Sequence, residues 1–202
     1  MPDVTGGSER IKQMDYGRGM NEDRRGPGGM PPCERCTFAG VRGVIVDIAP
    51  ARAGEGRSDS CILYFTVEDE NGNIVTFMVT PYTFVLDGEP LLMGTESIFW
   101  YRTDAPTVLI YPPQYTAVVA APVKAGRMLD VSFYDDALVN EEHSLQLNLD
   151  RSVRLRATNG QYFMGNPANH NLVVSYTTST RSIPAQTTPR EVVVLCDELR
   201  EE

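Results

Sequence analysis

The sequence predicts an all-β protein in which two small antiparallel units, barrel-like or sandwich-like, follow an extended N-terminal tail. Three observations predict this. Runs of β-branched and aromatic residues alternate with period two from Val41 onward, Asn-Gly pairs separate such runs at Asn71-Gly72 and Asn159-Gly160, and no segment carries the apolar stripe of a helix. At 202 residues, 42% hydrophobic and 22% charged, the chain has ordinary globular composition and enough length for one large core or two small ones.

Residues 1–40 read as the tail. Eight of the 17 glycines lie there, and Gly26-Pro27-Gly28-Gly29 with Pro31-Pro32 leave no periodicity from which a core could be built. The first unit is expected over residues 41–123. Its strands are Val41–Ile48, Cys61–Val67, Ile74–Val79, Ser97–Arg102 and Tyr115–Ala120, with a Gly/Arg/Ser loop up to Asp59. Asn71-Gly72 marks a tight hairpin between the second and third, because both turn residues tolerate positive φ. The second unit is expected over 124–196, with strands Leu129–Tyr134, Leu145–Leu149, Val153–Ala157, Tyr162–Met164, Asn171–Tyr176 and Arg190–Leu195. Residues 197–202 form an acidic end.

The ends of the two units align. Ile98–Thr103 leads through Ile110, Pro112 and Gln114 to Ala117-Val118-Val119, and Val173–Thr178 leads through Ile183, Pro184 and Gln186 to Val192-Val193-Val194. Tyr101 then matches Tyr176, and Gln114 matches Gln186 after a short deletion. Duplication and chance both remain open for this match. A long first strand, a tight hairpin, a bridging segment and a final pair form a strand plan that resembles the OB barrel at superfamily level. The stretches Met164–Leu172 and Arg181–Pro189 also resemble uncharacterised surface-type proteins of spore-forming Firmicutes, a resemblance that implies no particular chemistry.

Charge and cysteine content narrow the function classes. Net charge is −9, and Lys124 is the sole lysine beyond the tail, so phosphate backbones should be repelled and nucleic-acid binding is not expected. Neither a leader with an apolar h-region nor a membrane-spanning run is visible, which suggests a cytoplasmic protein, or one reaching a cell or spore surface by a leaderless route. Cys33-Glu34-Arg35-Cys36 has the spacing of half a zinc site, but no second CxxC completes it, and Cys61 and Cys196 sit in separate predicted strands. No metal or other cofactor is expected. On a mobile tail, Cys33 and Cys36 are candidates for an inter-subunit cross-link, with incidental thiols as the alternative.

Glu68–Asn73 gathers carboxylates but lacks EF-hand spacing and reads as a solvated turn. His143 and His170 stand in no nucleophile motif, and phosphate-loop, HExxH and GxSxG patterns are absent, so no catalytic residue is assigned and the chain is expected not to be an enzyme. Trp100, Tyr101, Tyr111 and Tyr115 surround one loop. On an OB-like barrel such rings can face a ligand or pack the core. Two functions are therefore expected: a structural subunit that assembles into a homo-oligomer or polymer through its tail, or a tandem-barrel module binding a small ligand, glycan or peptide.

Overall fold

A computed structural model describes residues 33, 35–53 and 57–196, and these are all-β. The first sheet begins with a meander of β1 (Phe38–Ala53), β2 (Arg57–Asp69) and β3 (Ile74–Val79). It continues through β4 (Phe84–Val85), β5 (Glu96–Arg102), β6 (Gln114–Thr116) and β7 (Val119–Pro122). β1 is antiparallel to both β2 and β5, β5 is antiparallel to β7, and β3 runs parallel to β6.

β6 and β7 belong to one stretch of chain that changes partner in its middle. Ala117 N–H donates to the Met78 carbonyl beside β3, and Val118 N–H donates to the Trp100 carbonyl on β5. The switch closes the sheet with the 1-2-3-5-4-1 strand order of an OB barrel, the merged β6–β7 segment being the fifth strand.

Closure requires β1 to curve between two partners. Gly43 pairs with Asp69 on one side and Ser97 on the other, and a bulge follows between Ile45 and Asp47. A Cβ at Gly43 would lie 2.3 Å from the Glu68 carbonyl oxygen, so the absent side chain lets β2 approach. Inside the barrel, alternate residues Ile45, Phe65, Val67, Phe77 and Phe99 form a buried core, in which Phe77 and Phe99 stack at 4.9 Å.

The second sheet contains β8 (Met128–Tyr134), β10 (Arg154–Ala157), β11 (His170–Tyr176) and β13 (Glu191–Leu195), in the order β10-β13-β11-β8. β9 (Leu145–Leu147) and β12 (Ala185–Thr187) make a separate parallel pair. β11 is antiparallel to β8 and β13, and β13 is parallel to β10. That arrangement repeats the order of β1, β5, β7/β6 and β3, so the aligned Tyr101 and Tyr176 occupy equivalent strands.

Both faces of this second sheet are covered, which explains its unbroken runs Leu172-Val173-Val174 and Val192-Val193-Val194. Leu172, Val174, Val192 and Val194 pack with Tyr134, Leu145 and Leu147 on one side. On the other, Val131, Val173 and Val193 meet Leu86, Trp100, Val119 and Ala121 of the first sheet in a continuous core. The outer flank of the barrel is thus buried against the second unit.

Several expected elements differ. β1 starts at Phe38 rather than Val41, and the Gly/Arg/Ser loop is largely strand, since the β1–β2 ladder extends to Ala53 opposite Arg57. Cross-strand bonding continued a hairpin whose composition reads as a turn. Tyr162–Met164 is not a strand; Tyr162 makes one bridge to Arg156 after the Asn159-Gly160 turn, where Gly160 has φ +82°. Among the described residues, no helix is long and apolar enough to cross a membrane.

Candidate functional site

Among the described residues, the loop joining β5 to β6, residues 103–113, carries the longest run of exposed apolar side chains. Val108, Leu109, Ile110 and Tyr111 are 65%, 99%, 50% and 90% exposed. Pro106, Pro112 and Pro113 bracket this run, removing amide donors and fixing φ, which limits its pairing to a single bridge between Val108 and Gln114.

Both ends of the loop are anchored. Thr103 N–H donates to the Thr37 carbonyl at 3.0 Å, and their hydroxyls lie 2.6 Å apart. Thr76 N–H donates to the Pro113 carbonyl at 2.9 Å. At its base Tyr101 and Tyr115 stack with centroids 3.9 Å apart and planes 18° from parallel, over the edge of Phe77. Burial raises the pKa of the Tyr101 phenol, and Tyr115 adds to the effect. The result is an apolar tip on an aromatic footing.

Of the four aromatics singled out by the sequence, three gather here and one does not. Tyr101 and Tyr115 form the stack and Tyr111 stands in the exposed tip. Trp100 points from the opposite face of β5 into the core between the two units, 7% exposed, so the expectation that it faces a ligand is corrected. Strand alternation is the reason: neighbours 100 and 101 must point to opposite faces. Val108 and Leu109 were not picked out, although an apolar run confined between prolines is a readable sign of an exposed loop.

Cys33 and Cys36 lie beside the same end of β5, next to the start of the loop. Cys36 is 5% exposed; its N–H donates to Asn171 Oδ1 at 3.2 Å, and its thiol donates to the Cys33 carbonyl at 3.3 Å. Asn171 Nδ2 donates back to that carbonyl at 3.4 Å. Arg35 pairs with Glu141 at 2.7 Å and lies 5.0 Å from the Phe133 ring centre. Burial raises the pKa of both thiols, and hydrogen bonding from Cys33 raises that of Cys36 further. The expectation of two thiols riding on a reaching arm is corrected, because the segment that carries them is packed onto β11. The rest of the tail, residues 1–32, and the acidic end lie outside the described residues.

Nearby, buried Arg102 pairs with Asp104 at the start of the loop, and the hydrogen bonds from Arg102 hold the Asp104 carboxyl below the usual carboxylate range. Among the described residues no group of three or more His, Cys, Asp or Glu side chains is placed to hold a metal ion. In the β2–β3 turn, Asp69 accepts from the backbone N–H groups of Asn71 and Asn73 at 2.9 and 2.8 Å. Its carboxylate is therefore occupied as a turn cap.

No protein-family profile matches the chain, and no curated protein matches it, so the resemblance to surface-type Firmicutes proteins finds no counterpart. Among solved structures, a deletion mutant of the single-stranded DNA binding protein from Thermus aquaticus is similar at 16% identity, covering 84% of this chain and 97% of that one, with a TM-score of 0.27. A similarity at that level assigns no ligand to this chain. The expectation that nucleic acid is excluded is corrected instead by the distribution of charge. A net charge of −9 averages over a surface on which Lys124, Arg127, Arg154, Arg156 and Arg190 line adjoining clefts.

Proposed function

We propose that this chain is a non-catalytic binding module that captures an apolar segment of a partner protein on the loop between β5 and β6. The observation that supports it is the exposure of four consecutive apolar residues, Val108 to Tyr111, on a loop pinned at both ends. Exposed apolar surface of this kind carries a solvation cost that partner binding relieves, and the anchored base limits the ordering entropy lost on binding. The adjoining Tyr101–Tyr115 stack offers a flat apolar floor beside the tip.

A second reading is a self-assembling structural subunit, favoured by Ile183 and Met164, which are 95% and 93% exposed on the second unit and supply apolar surface for a neighbour's loop. Sedimentation of the full chain, wild type against Leu109→Asp with Tyr111→Ser, distinguishes the two. A monomer in both forms, with the wild type alone retaining a partner protein from the native source, is the outcome expected of a binding module. A wild-type polymer that the double variant dissolves establishes self-assembly instead. Equal partner retention by both forms overturns the assignment of the loop.

A further inference from the structure

The junction between the units holds a second feature, separate from the apolar loop. Val123–Arg127 connects β7 to β8, and within it Lys124, Ala125, Gly126 and Arg127 form a turn in which Arg127 N–H donates to the Lys124 carbonyl at 3.1 Å. Gly126 has φ +71°, a conformation that suits glycine there. The turn projects both cations into a cleft of about 310 Å³. Arg154 and Arg190 enter the same cleft from the starts of β10 and β13, and Ser175 and Thr177 from the end of β11.

These positions are adjacent by hydrogen bonding. Arg154 N–H donates to the Arg190 carbonyl at 3.2 Å, and Arg190 N–H donates to the Ser175 carbonyl at 2.8 Å. Four cationic residues from three chain segments thus line one cleft, together with Asp87 and Glu191. Arg156 stands next to them, its guanidinium 2.6 Å from Glu191. So five of the chain's 18 lysines and arginines gather at the junction of a protein whose net charge is −9.

The carboxylates present do not exhaust this charge. Asp87 takes Lys124 at 2.8 Å and Arg127; Glu89 takes Lys124 at 2.9 Å. Burial pushes the Asp87 pKa up, yet the hydrogen bonds from Lys124 and Arg127 prevail and hold it low. Glu191 is claimed by Arg156, leaving Arg154 at 3.9 Å in a loose contact. Arg190 makes no ion pair among the described residues, and Arg127 Nε and Arg156 Nε find no acceptor. Five cations face three carboxylates, and like charges brought together are destabilising unless an anion joins them.

We propose that this junction cleft is an oxyanion site that takes the phosphate group of a small phosphorylated ligand. Arg154 and Arg190 supply planar forked donors, Lys124 a point charge, and Ser175 and Thr177 hydroxyls that donate to the remaining oxygens. A strand of nucleic acid needs cations spaced along a track with aromatic platforms for its bases. Here the cations line one small cleft, the lining has no aromatic residue, and the volume lies at the lower end of small-ligand pockets.

Isothermal titration of the full chain with pyrophosphate, inorganic phosphate and a short oligothymidylate tests the site. Saturable one-to-one binding of pyrophosphate is expected, weakening with added salt and falling by about tenfold or more in Arg190→Ala and in Arg154→Ala. Arg181→Ala, an exposed arginine on the loop after β11, should bind as the wild type does. Arg190 and Arg154 are surface side chains, so matching dichroism spectra and melting temperatures verify that the variants fold. Absence of saturable binding at millimolar pyrophosphate, or binding indifferent to both cleft variants, overturns the proposal. Oligothymidylate binding more tightly than pyrophosphate, and lost in the same variants, replaces the small ligand with a nucleic-acid strand and likewise overturns it.

Discussion

Asn171 does at the scale of one residue what a longer contact surface would otherwise have to do. Its amide oxygen accepts from Cys36 and its amide nitrogen donates to Cys33, so one buried side chain ties the segment before β1 to the second unit. Replacing it by alanine strands those backbone groups, and we expect Asn171→Ala to cost about 1–3 kcal/mol in denaturant unfolding. Alkylation of Cys33 and Cys36 should accelerate in the same variant, since burial is what keeps their thiols protonated. A second residue sets a pH dependence. Asp130 is half-buried and accepts from Tyr134 Oη at 2.6 Å; desolvation raises its pKa above the ordinary carboxylate range, although the bonds from Tyr134 and Asn140 oppose this. Its folded form therefore holds a proton more tightly than its unfolded form does. The associated stability is fully present below the unfolded pKa and is lost as pH rises through the raised folded value. Asp130→Asn should flatten that decline and raise stability at neutral pH relative to the wild type, as chemical denaturation across mildly acidic pH will show.

At the scale of elements, Gly43 governs whether β1 can serve two neighbours. A methyl group there meets the Glu68 carbonyl and the Val67 side chain at 2.3 and 2.7 Å. Gly43→Ala is expected to destabilise by about 1–3 kcal/mol through backbone displacement, measurable by urea unfolding. Most strands could be read from the sequence: the Asn71-Gly72 hairpin and the cores of β1, β2, β3, β5, β8, β11 and β13 follow period-two patterning or β-branched runs. What could not be read was pairing. Nothing local in Ala117-Val118 announces that the chain changes partner there, because the event depends on Met78 and Trp100, both distant in sequence. The candidate site divides in the same way. Tyr101, Tyr111 and Tyr115 were visible as rings near a proline-rich loop, whereas the placement of Trp100 depended on which face of β5 a second unit would cover. The basic cleft was hidden further still, since its arginines and lysine come from strand ends and a turn that only the fold brings together.

For the whole molecule, the decisive fact is that the two units share a core. Trp100, Val119 and Ala121 of one pack with Val131, Val173 and Val193 of the other, so separation of the units exposes apolar surface on both. Thermal unfolding should therefore be a single transition. Trp100 is the chain's one tryptophan and sits in this junction, so its fluorescence reports separation while far-UV dichroism reports loss of strands. Coincident midpoints are expected. A fluorescence midpoint well below the dichroism midpoint would mean that the units part before they unfold.

The same junction bears on how the chain is made. Synthesis proceeds from the N-terminus, and residues through Pro122 leave the ribosome before β8, β11 and β13 exist to meet them. During that interval the barrel can close around Phe65, Phe77 and Phe99, yet the flank holding Trp100, Val119 and Ala121 has no cover. The C-terminal half then acts toward the newborn barrel as a tethered chaperone, arriving at high local concentration and capping the sticky flank. A gene fragment ending near Pro122 should accordingly yield insoluble protein, and supplying the remaining half as a separate chain should recover part of it.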